Sequence, residues 1–369
     1  MTHPRFEKLS NSLAANNLDA VVLNPGPTLT YMTGLHFHLM ERPVVVLYAP
    51  GRDPVIVLPE LEFAKVSNLS YKVQAFTYPE NPAEWVKAFQ KGAEALGLDG
   101  KKIGVEPRAL RILEYRYLEQ AAPKASFPDA SAALAALRIR KDADEIVKMR
   151  KAVKIAQDGL EATLPFIKIG MSEAEISNEL VIQLLRHGSQ PELPFAPIVS
   201  GGPNSANPHA APSERKLQAG DMLVVDWGAT YDGYISDLTR TFAVGEVNEE
   251  SRKIHQIVQE ANIAGRAAGK VGGTCAAVDI AARGVIEKAG YGPYFRHRTG
   301  HGIGMEGHED PYMRGDNLQL LETGMTYTVE PGIYLLGQVG VRIEDNMVIT
   351  ENGAESMSDM ERGIRVVGA

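Results

Sequence analysis

The stretch VVDWGATYDGYISDLTRTF, residues 224–242, sets two aspartates in an otherwise apolar, glycine-punctuated run. Met222 to Val225 reads as a strand, Tyr234 to Val244 as another, and TYDG between them as a turn. Aspartate is poor in sheet interiors and costly to bury without a partner. Asp226 and Asp237 therefore require a cation, a basic side chain or water. With the turn centred on Tyr231 and Asp232, Thr230 faces Gly233 and Asp226 faces Asp237. Directly opposed residues have Cβ atoms about 4.5–5.5 Å apart. Like charges at that spacing repel unless something positive lies between them.

A second segment, TYTVEPGIYLLGQVGVRIEDNMVI at 326–349, repeats the pattern. Two apolar arms flank glycines, and with Gly337 at the centre Glu330 faces Glu344, provided no bulge intervenes. Between the hairpins, RHRTGHGIGMEGHEDP at 296–311 supplies His297, His301 and His308. Its glycines let the backbone approach a ligand closely. Four carboxylates plus imidazole suit manganese, cobalt, zinc or iron. They fit two carboxylate-bridged ions, typically about 3.5–4 Å apart and sharing an activated water, better than one structural zinc. The competing reading is a set of acids salt-bridged to Arg240, Arg298 and Arg342.

The rest of the chain bounds the function. Its 369 residues favour two domains over one. The net charge of -8 gives no sign of a nucleic-acid surface. Cys275 is the only cysteine, which rules out an intramolecular disulfide and a cysteine-rich metal site. It lies at an expected helix start, where thiol acidity can rise, but with no base beside it an inert, buried or half-buried side chain is expected. Lys253 reads as solvated surface, and Trp227, on the strand face opposite Asp226, as core. No apolar stretch reaches membrane-spanning length, so a cytoplasmic protein without a membrane partner is expected.

Helices and strands alternate over roughly the first third. Helices are expected at Phe6 to Ala15, Ala83 to Leu96 and Arg108 to Ala121, with strands at Ala20 to Leu23, Pro43 to Tyr48, Pro54 to Leu58 and Lys102 to Val105. That alternation predicts an α/β layered domain. A long helix capped by Asp142 or Asp144 opens the second part, and the boundary is set at 1–135 and 136–369. The second part has helices near Glu173 to His187, Glu249 to Ala268 and Thr274 to Ala289. Its strands are expected at Met222 to Trp227, Tyr234 to Val244, Met325 to Leu335 and Val341 to Ile349, forming a mostly antiparallel sheet backed by helices. The fold class is thus α+β.

From about residue 140 onward these motifs resemble the metal-dependent peptidases of the creatinase, methionine aminopeptidase and prolidase type, metallopeptidase family M24. Their catalytic fold is called pita-bread. The first part, with NPGPTLTYMTGLHFH at 24–38, resembles the smaller α/β N-terminal domain of creatinase and prolidase. The resemblance implies two divalent ions per subunit, manganese first, with cobalt, zinc or iron as alternatives. Asp226, Asp237, His301, Glu330 and Glu344 match the five ligand positions. Asp237 and Glu344 would bridge the ions, Asp226 would complete one shell, and His301 and Glu330 the other. His209, in SANPHAAPS, and His308, in MEGHEDP, match substrate-side histidines that stabilise the carbonyl oxygen. Arg342 matches an arginine near the substrate carboxylate or the acid network.

The implied reaction is hydrolysis of the amide bond before proline in a small peptide with proline second. Glu330 would take a proton from water and pass it to the leaving nitrogen. The overall length resembles a prokaryotic Xaa-Pro dipeptidase, or prolidase. A dipeptidase must block the cleft beyond proline, which implies a homodimer, with His36 and His38 candidates to reach a partner's cleft. The alternatives are an Xaa-Pro aminopeptidase, a related metal-dependent amide hydrolase, and a non-catalytic pita-bread binding protein. The metal-free creatinase branch is disfavoured, because there the ligand positions are largely replaced and here all five are present.

Overall fold

The computed structural model describes residues 4–67 and 69–368. The chain divides into two compact units between Arg138 and Ile139. The first contains α1 (Pro4–Ala15), β1 (Ala20–Leu23), α2 (Pro27–Thr33), β2 (Val45–Tyr48), β3 (Val55–Pro59), β4 (Gln74–Tyr78), α3 (Pro82–Leu96), β5 (Ile103–Gly104), α4 (Ile112–Ala121) and α5 (Ser131–Arg138). Its mixed sheet runs β4-β3-β2-β1-β5. The central strands AVVL, VVLY and VIVLP are apolar runs buried throughout, as strands covered on both faces require. The start of α3 is fixed by the Asn81 side chain and Pro82, and its end by Gly97 in the left-handed region. Gly92 lets this helix press on the sheet, since a Cβ there would sit 3.1 Å from Val55 and Val57.

The second unit opens with α6 (Ala143–Thr163) and α7 (Glu173–Arg186). Each starts with a capping box, Asp142 with Glu145 and Ser172 with Glu175, which satisfies two backbone N–H groups reciprocally. Then follow β6 (Ile198–Gly201), β7 (Met222–Trp227), β8 (Thr230–Tyr231), β9 (Tyr234–Ile235), β10 (Leu238–Val244), α8 (Glu249–Ala268) and α9 (Cys275–Lys288). The remaining strands are β11 (Gly300–Gly302), β12 (Glu309–Met313), β13 (Thr326–Val329), β14 (Gly332–Leu335), β15 (Val339–Arg342), β16 (Asp345–Thr350), β17 (Gly353–Ser356) and β18 (Val366–Val367).

One sheet has the order β18-β10-β7-β6 and a second β12-β11-β13-β16-β17, with β8–β9 and β14–β15 as separate ribbons. All of these pairs are antiparallel except β10 with β18. The main core joins Met149, Val153, Ala156 and Leu160 of α6 to Trp227 and Phe242 of the first sheet. The Trp227 indole N–H donates to the Ala156 carbonyl at 2.7 Å, so this ring is core. Cys275 is buried, its thiol pushed up to about 11 by desolvation, and Lys253 is exposed.

Two differences from the sequence reading matter. The first hairpin turns on Asp232 and Gly233, both at positive φ (48° and 76°), one residue later than expected. Thr230 pairs with Ile235, and Asp226 with Thr239 rather than with Asp237. Asp-Gly is the favoured pair for such a turn. The two-residue shift preserves the alternation of faces, so Asp237 stays diagonal to Asp226. In addition, three expected strands are each interrupted: at Ser236 and Asp237, at Glu330 and Pro331, and at Ile343 and Glu344. Three of the four candidate acids lie in these gaps.

The candidate metal centre

The gaps are held open by side chains. Asn346 of β16 accepts from Asp237 N at 3.0 Å and donates to Asp237 O at 2.6 Å. Its amide thus stands in for a neighbouring strand at the residue where the ladder stops. The second hairpin keeps its expected register, from Thr326 with Val348 through Leu335 with Val339, so Glu330 and Glu344 stand opposite each other. Glu344 N in turn donates to Thr239 O at 3.0 Å, joining this hairpin to β10. Asp226, Thr239 and Glu344 therefore form a row across three chain segments. Gly300 allows β13 to lie close, because a Cβ there would fall 1.8 Å from Thr328 O.

The side chains converge. Donor atoms of Asp237, His301 and Glu344 all lie within 4.8 Å of one another. His301 Nε2 is 3.5 Å from Glu330 Oε1 and 3.7 Å from Asp237 Oδ2. His301 Nδ1 donates to Gly302 O at 3.1 Å, which leaves Nε2 with its lone pair facing these carboxylates. Burial, aided by His308, lowers the imidazole to about 3, so it is neutral. Among the described residues, Asp226 Oδ1 and Asp237 Oδ1 are buried with no hydrogen-bond partner. A set of acceptors turned on one another, with orphaned buried oxygens, fits divalent cations bound by oxygen and imidazole.

The electrostatics agree. Burial raises Asp237 well above the usual carboxylate range, and Glu344, Asp226 and Glu330 add repulsion. Burial and then Glu330 and Asp226 do the same for Glu344. Burial takes Glu330 up to about 8, opposed by Arg342. Asp226 is also raised by burial, against the pull of Arg342.

The salt-bridge alternative accounts for little of this. Arg342 Nη2 meets Asp226 Oδ2 at 2.7 Å. Arg240 instead pairs with Asp345 at 2.8 Å, and Arg298 lies over the Tyr312 ring at 4.5 Å. Arg342 is buried in the acid network, with Nε donating to Thr239 Oγ1 (3.1 Å) and Nη1 to Tyr334 Oη (3.0 Å) and Pro208 O (3.3 Å). Thr239 Oγ1 passes the interaction on to Glu344 Oε2 at 2.7 Å.

His308 is exposed, and its ring centroid is 4.0 Å from that of His301. His209 is exposed on the loop after the 3-10 turn Gly202–Ala206, an electrostatic neighbour of Asp226 and His297. His36 and His38 are exposed in the first unit, their rings 5.6 Å apart edge to face.

Sequence reasoning missed several members. Tyr334, pushed up to about 12 by burial, bonds His297 Nε2 at 3.0 Å and so links His297 to Arg342. Asp345 is buried among Arg240, Arg362 and Asn262. Burial alone would raise its carboxyl, but Arg240 and Arg362 more than offset that and hold it low. Its position beside Glu344 was the available signal, since alternation sends adjacent strand residues to opposite faces.

A family model described as metallopeptidase family M24 matches residues 147–351. One described as creatinase/prolidase N-terminal domain matches residues 5–140. A protein named putative dipeptidase YkvY, from Bacillus subtilis, is 32% identical over 98% of this chain and 99% of its own. One named Xaa-Pro dipeptidase, from Lactobacillus helveticus, is 33% identical over 98% of each. A solved dipeptidase from Pyrococcus horikoshii OT3 is 36% identical with a TM-score of 0.93, covering 98% of this chain and 100% of that one.

Proposed function

The chain belongs to metallopeptidase family M24, and from that membership we propose that it hydrolyses the peptide bond before proline in Xaa-Pro dipeptides. The observation that carries the proposal is the cluster in which neutral His301 and the buried carboxylates turn lone pairs toward one another. The match to a protein named Xaa-Pro dipeptidase over the whole length supports the choice of substrate.

In this reading Asp226, Asp237, His301, Glu330 and Glu344 would hold two divalent ions. When bound, such a pair supplies Lewis-acid polarisation and hydroxide at neutral pH. The chain's own residues handle positions and protons. Glu330 accepts the proton of the attacking water and returns it to the proline nitrogen as that nitrogen leaves. The scissile amide of Xaa-Pro has no N–H, so this return is what makes the nitrogen a leaving group. His308 and His209 donate to the carbonyl oxygen as negative charge grows on it. Arg342 favours the ionised form of Asp226 and orients it. Manganese is proposed as the metal, since an oxygen-rich set favours it over softer-ligand choices. A homodimer, by family resemblance, and a cytoplasmic location complete the proposal. Among the described residues no helix is long and apolar enough to cross a membrane.

The test is hydrolysis of Ala-Pro beside Ala-Pro-Ala, after chelation and after manganese is restored. Manganese-dependent cleavage of Ala-Pro alone is expected. Cleavage of the tripeptide before proline would make the protein an aminopeptidase, and cleavage of neither would overturn the substrate assignment.

A further inference from the structure

Glu173 is the first residue of α7 and its side chain is fully buried. Its carboxylate receives donors from two separated points. Oε1 accepts from Gly201 N at 2.8 Å and from the Asn204 amide at 3.1 Å. Oε2 accepts from the Asn204 amide at 3.1 Å, from Ser213 N at 3.1 Å and from Ser213 Oγ at 2.6 Å. The backbone repeats the tie, with Glu173 N donating to Arg215 O and Ala174 N to Ser213 O. Buried carboxylates are costly unless hydrogen-bonded, and here the partners lie along one loop that runs from Gly201, the last residue of β6, to Ser213.

That loop, 201–213, carries His209 near its middle. Glu173 clasps its two ends. Its floor is held by Gly340 N donating to Ser205 Oγ at 2.8 Å and by Arg342 donating to Pro208 O at 3.3 Å. His209 itself is exposed, so its direction depends on the loop backbone. We infer that Glu173 is the positioning residue for His209: one carboxylate, not among the acids of the candidate metal centre, clasps both ends of the loop that presents this imidazole to substrate. The inference rests on the role proposed above for His209.

Glu173→Gln is the informative change. Glutamine keeps the shape but turns an NH2 group toward either Gly201 and Asn204 or Ser213, where donors already stand. The side-chain clasp at one end of the loop is then lost, while the backbone ties from Glu173 N and Ala174 N remain. In the full-length, manganese-loaded enzyme, Glu173→Gln is expected to lower kcat/KM for Ala-Pro about tenfold, a coupling typical of a shared network, with bound manganese unchanged. On a His209→Ala background the same change should cost less than about twofold, because the group it positions is gone. Equal losses in the two backgrounds would overturn the inference.

A second readout separates it from the role of His209. Because Cys275 is buried, a nitroxide attached to His209→Cys reports on this loop alone. Its spectrum should narrow when Glu173→Gln is added, and an unchanged line shape would overturn the inference. A narrowed line together with full activity in His209→Ala would leave the positioning intact and overturn the proposed role of His209. Should Glu173→Gln fail to fold, Ser213→Ala combined with Asn204→Ala removes the three side-chain bonds from the loop side, leaving those from Gly201 N and Ser213 N, and carries the same test.

Discussion

Removing the metal should make the second unit less stable as pH rises, and Glu330→Gln should blunt that loss by a calculable amount. Burial takes the folded Glu330 carboxyl from 4.5 up to about 8. Between those values the folded state keeps a proton that the unfolded state has released. The stability this proton carries is complete below the unfolded value and is lost as pH rises through the folded one. Asp237 and Glu344, raised by burial and mutual repulsion, act with the same sign.

Histidines oppose this at lower pH. Burial lowers His255 and His297 to about 4 and His301 to about 3, so they take up protons only on unfolding. That contribution ends above about pH 6.5, where unfolded histidine is neutral too. The clean window therefore runs from about pH 6.5 to 8. One proton over about 1.5 pH units, at about 1.4 kcal/mol per unit, is about 2 kcal/mol. Urea unfolding of the chelated protein, in a Trp85→Phe background that leaves Trp227 to report on the second unit, measures it. The parent should lose about 2 kcal/mol more than Glu330→Gln across the window. Equal pH slopes in the two proteins, or stability rising with pH in the metal-free parent, would refute the reasoning.

Asp237→Ala or Glu344→Ala should abolish Ala-Pro hydrolysis and lower bound manganese. Metal analysis beside kinetics decides it, and full activity with unchanged metal would sink the ligand assignment. His308→Ala should retain both ions while losing much of its turnover, whereas loss of metal on that change would mark His308 as a ligand. Asn346→Ala removes both buried bonds to the Asp237 backbone. It should destabilise the second unit by about 2–4 kcal/mol in urea titration and weaken manganese binding. A change under about 0.5 kcal/mol, the usual scale of inconsequential substitutions, would mean that the chain break at Asp237 needs no clasp.

The periodicities exposed the helices α6 to α9 and the strand β7 because long repeats and caps are local features. Asp226, Asp237, Glu330 and Glu344 were legible because acids in apolar strands violate local preference. Local reading placed Asp237, Glu330 and Glu344 inside continuous strands, since each arm is apolar on both sides of its acid. The interruptions come from tertiary partners, such as the Asn346 amide at Asp237. The first turn was missed by one residue although Asp232-Gly233 carried the signal. Helix α2 was also missed. Pro27 starts this helix and Gly34 caps it at φ 72°. Tyr334, Thr239 and Glu173 were invisible for another reason: their importance lies in what they touch, which no spacing encodes.

Glu344 and Asp345 are adjacent, yet their carboxyls have opposite acid strengths, raised in one and held low in the other. Asp345 joins Arg240 and Arg362, and Arg240 also donates to the Glu344 carbonyl at 2.7 Å. The backbone beside the candidate metal site is thus anchored by ion pairs that need no metal. With Glu344 as a ligand in the proposed centre, chelation would leave this anchor standing, and metal return is expected to be fast compared with refolding. The same adjacency makes the site intolerant of a one-residue insertion between β15 and β16. Such a slip would turn Asp345 toward the candidate metal site and Glu344 toward the arginines.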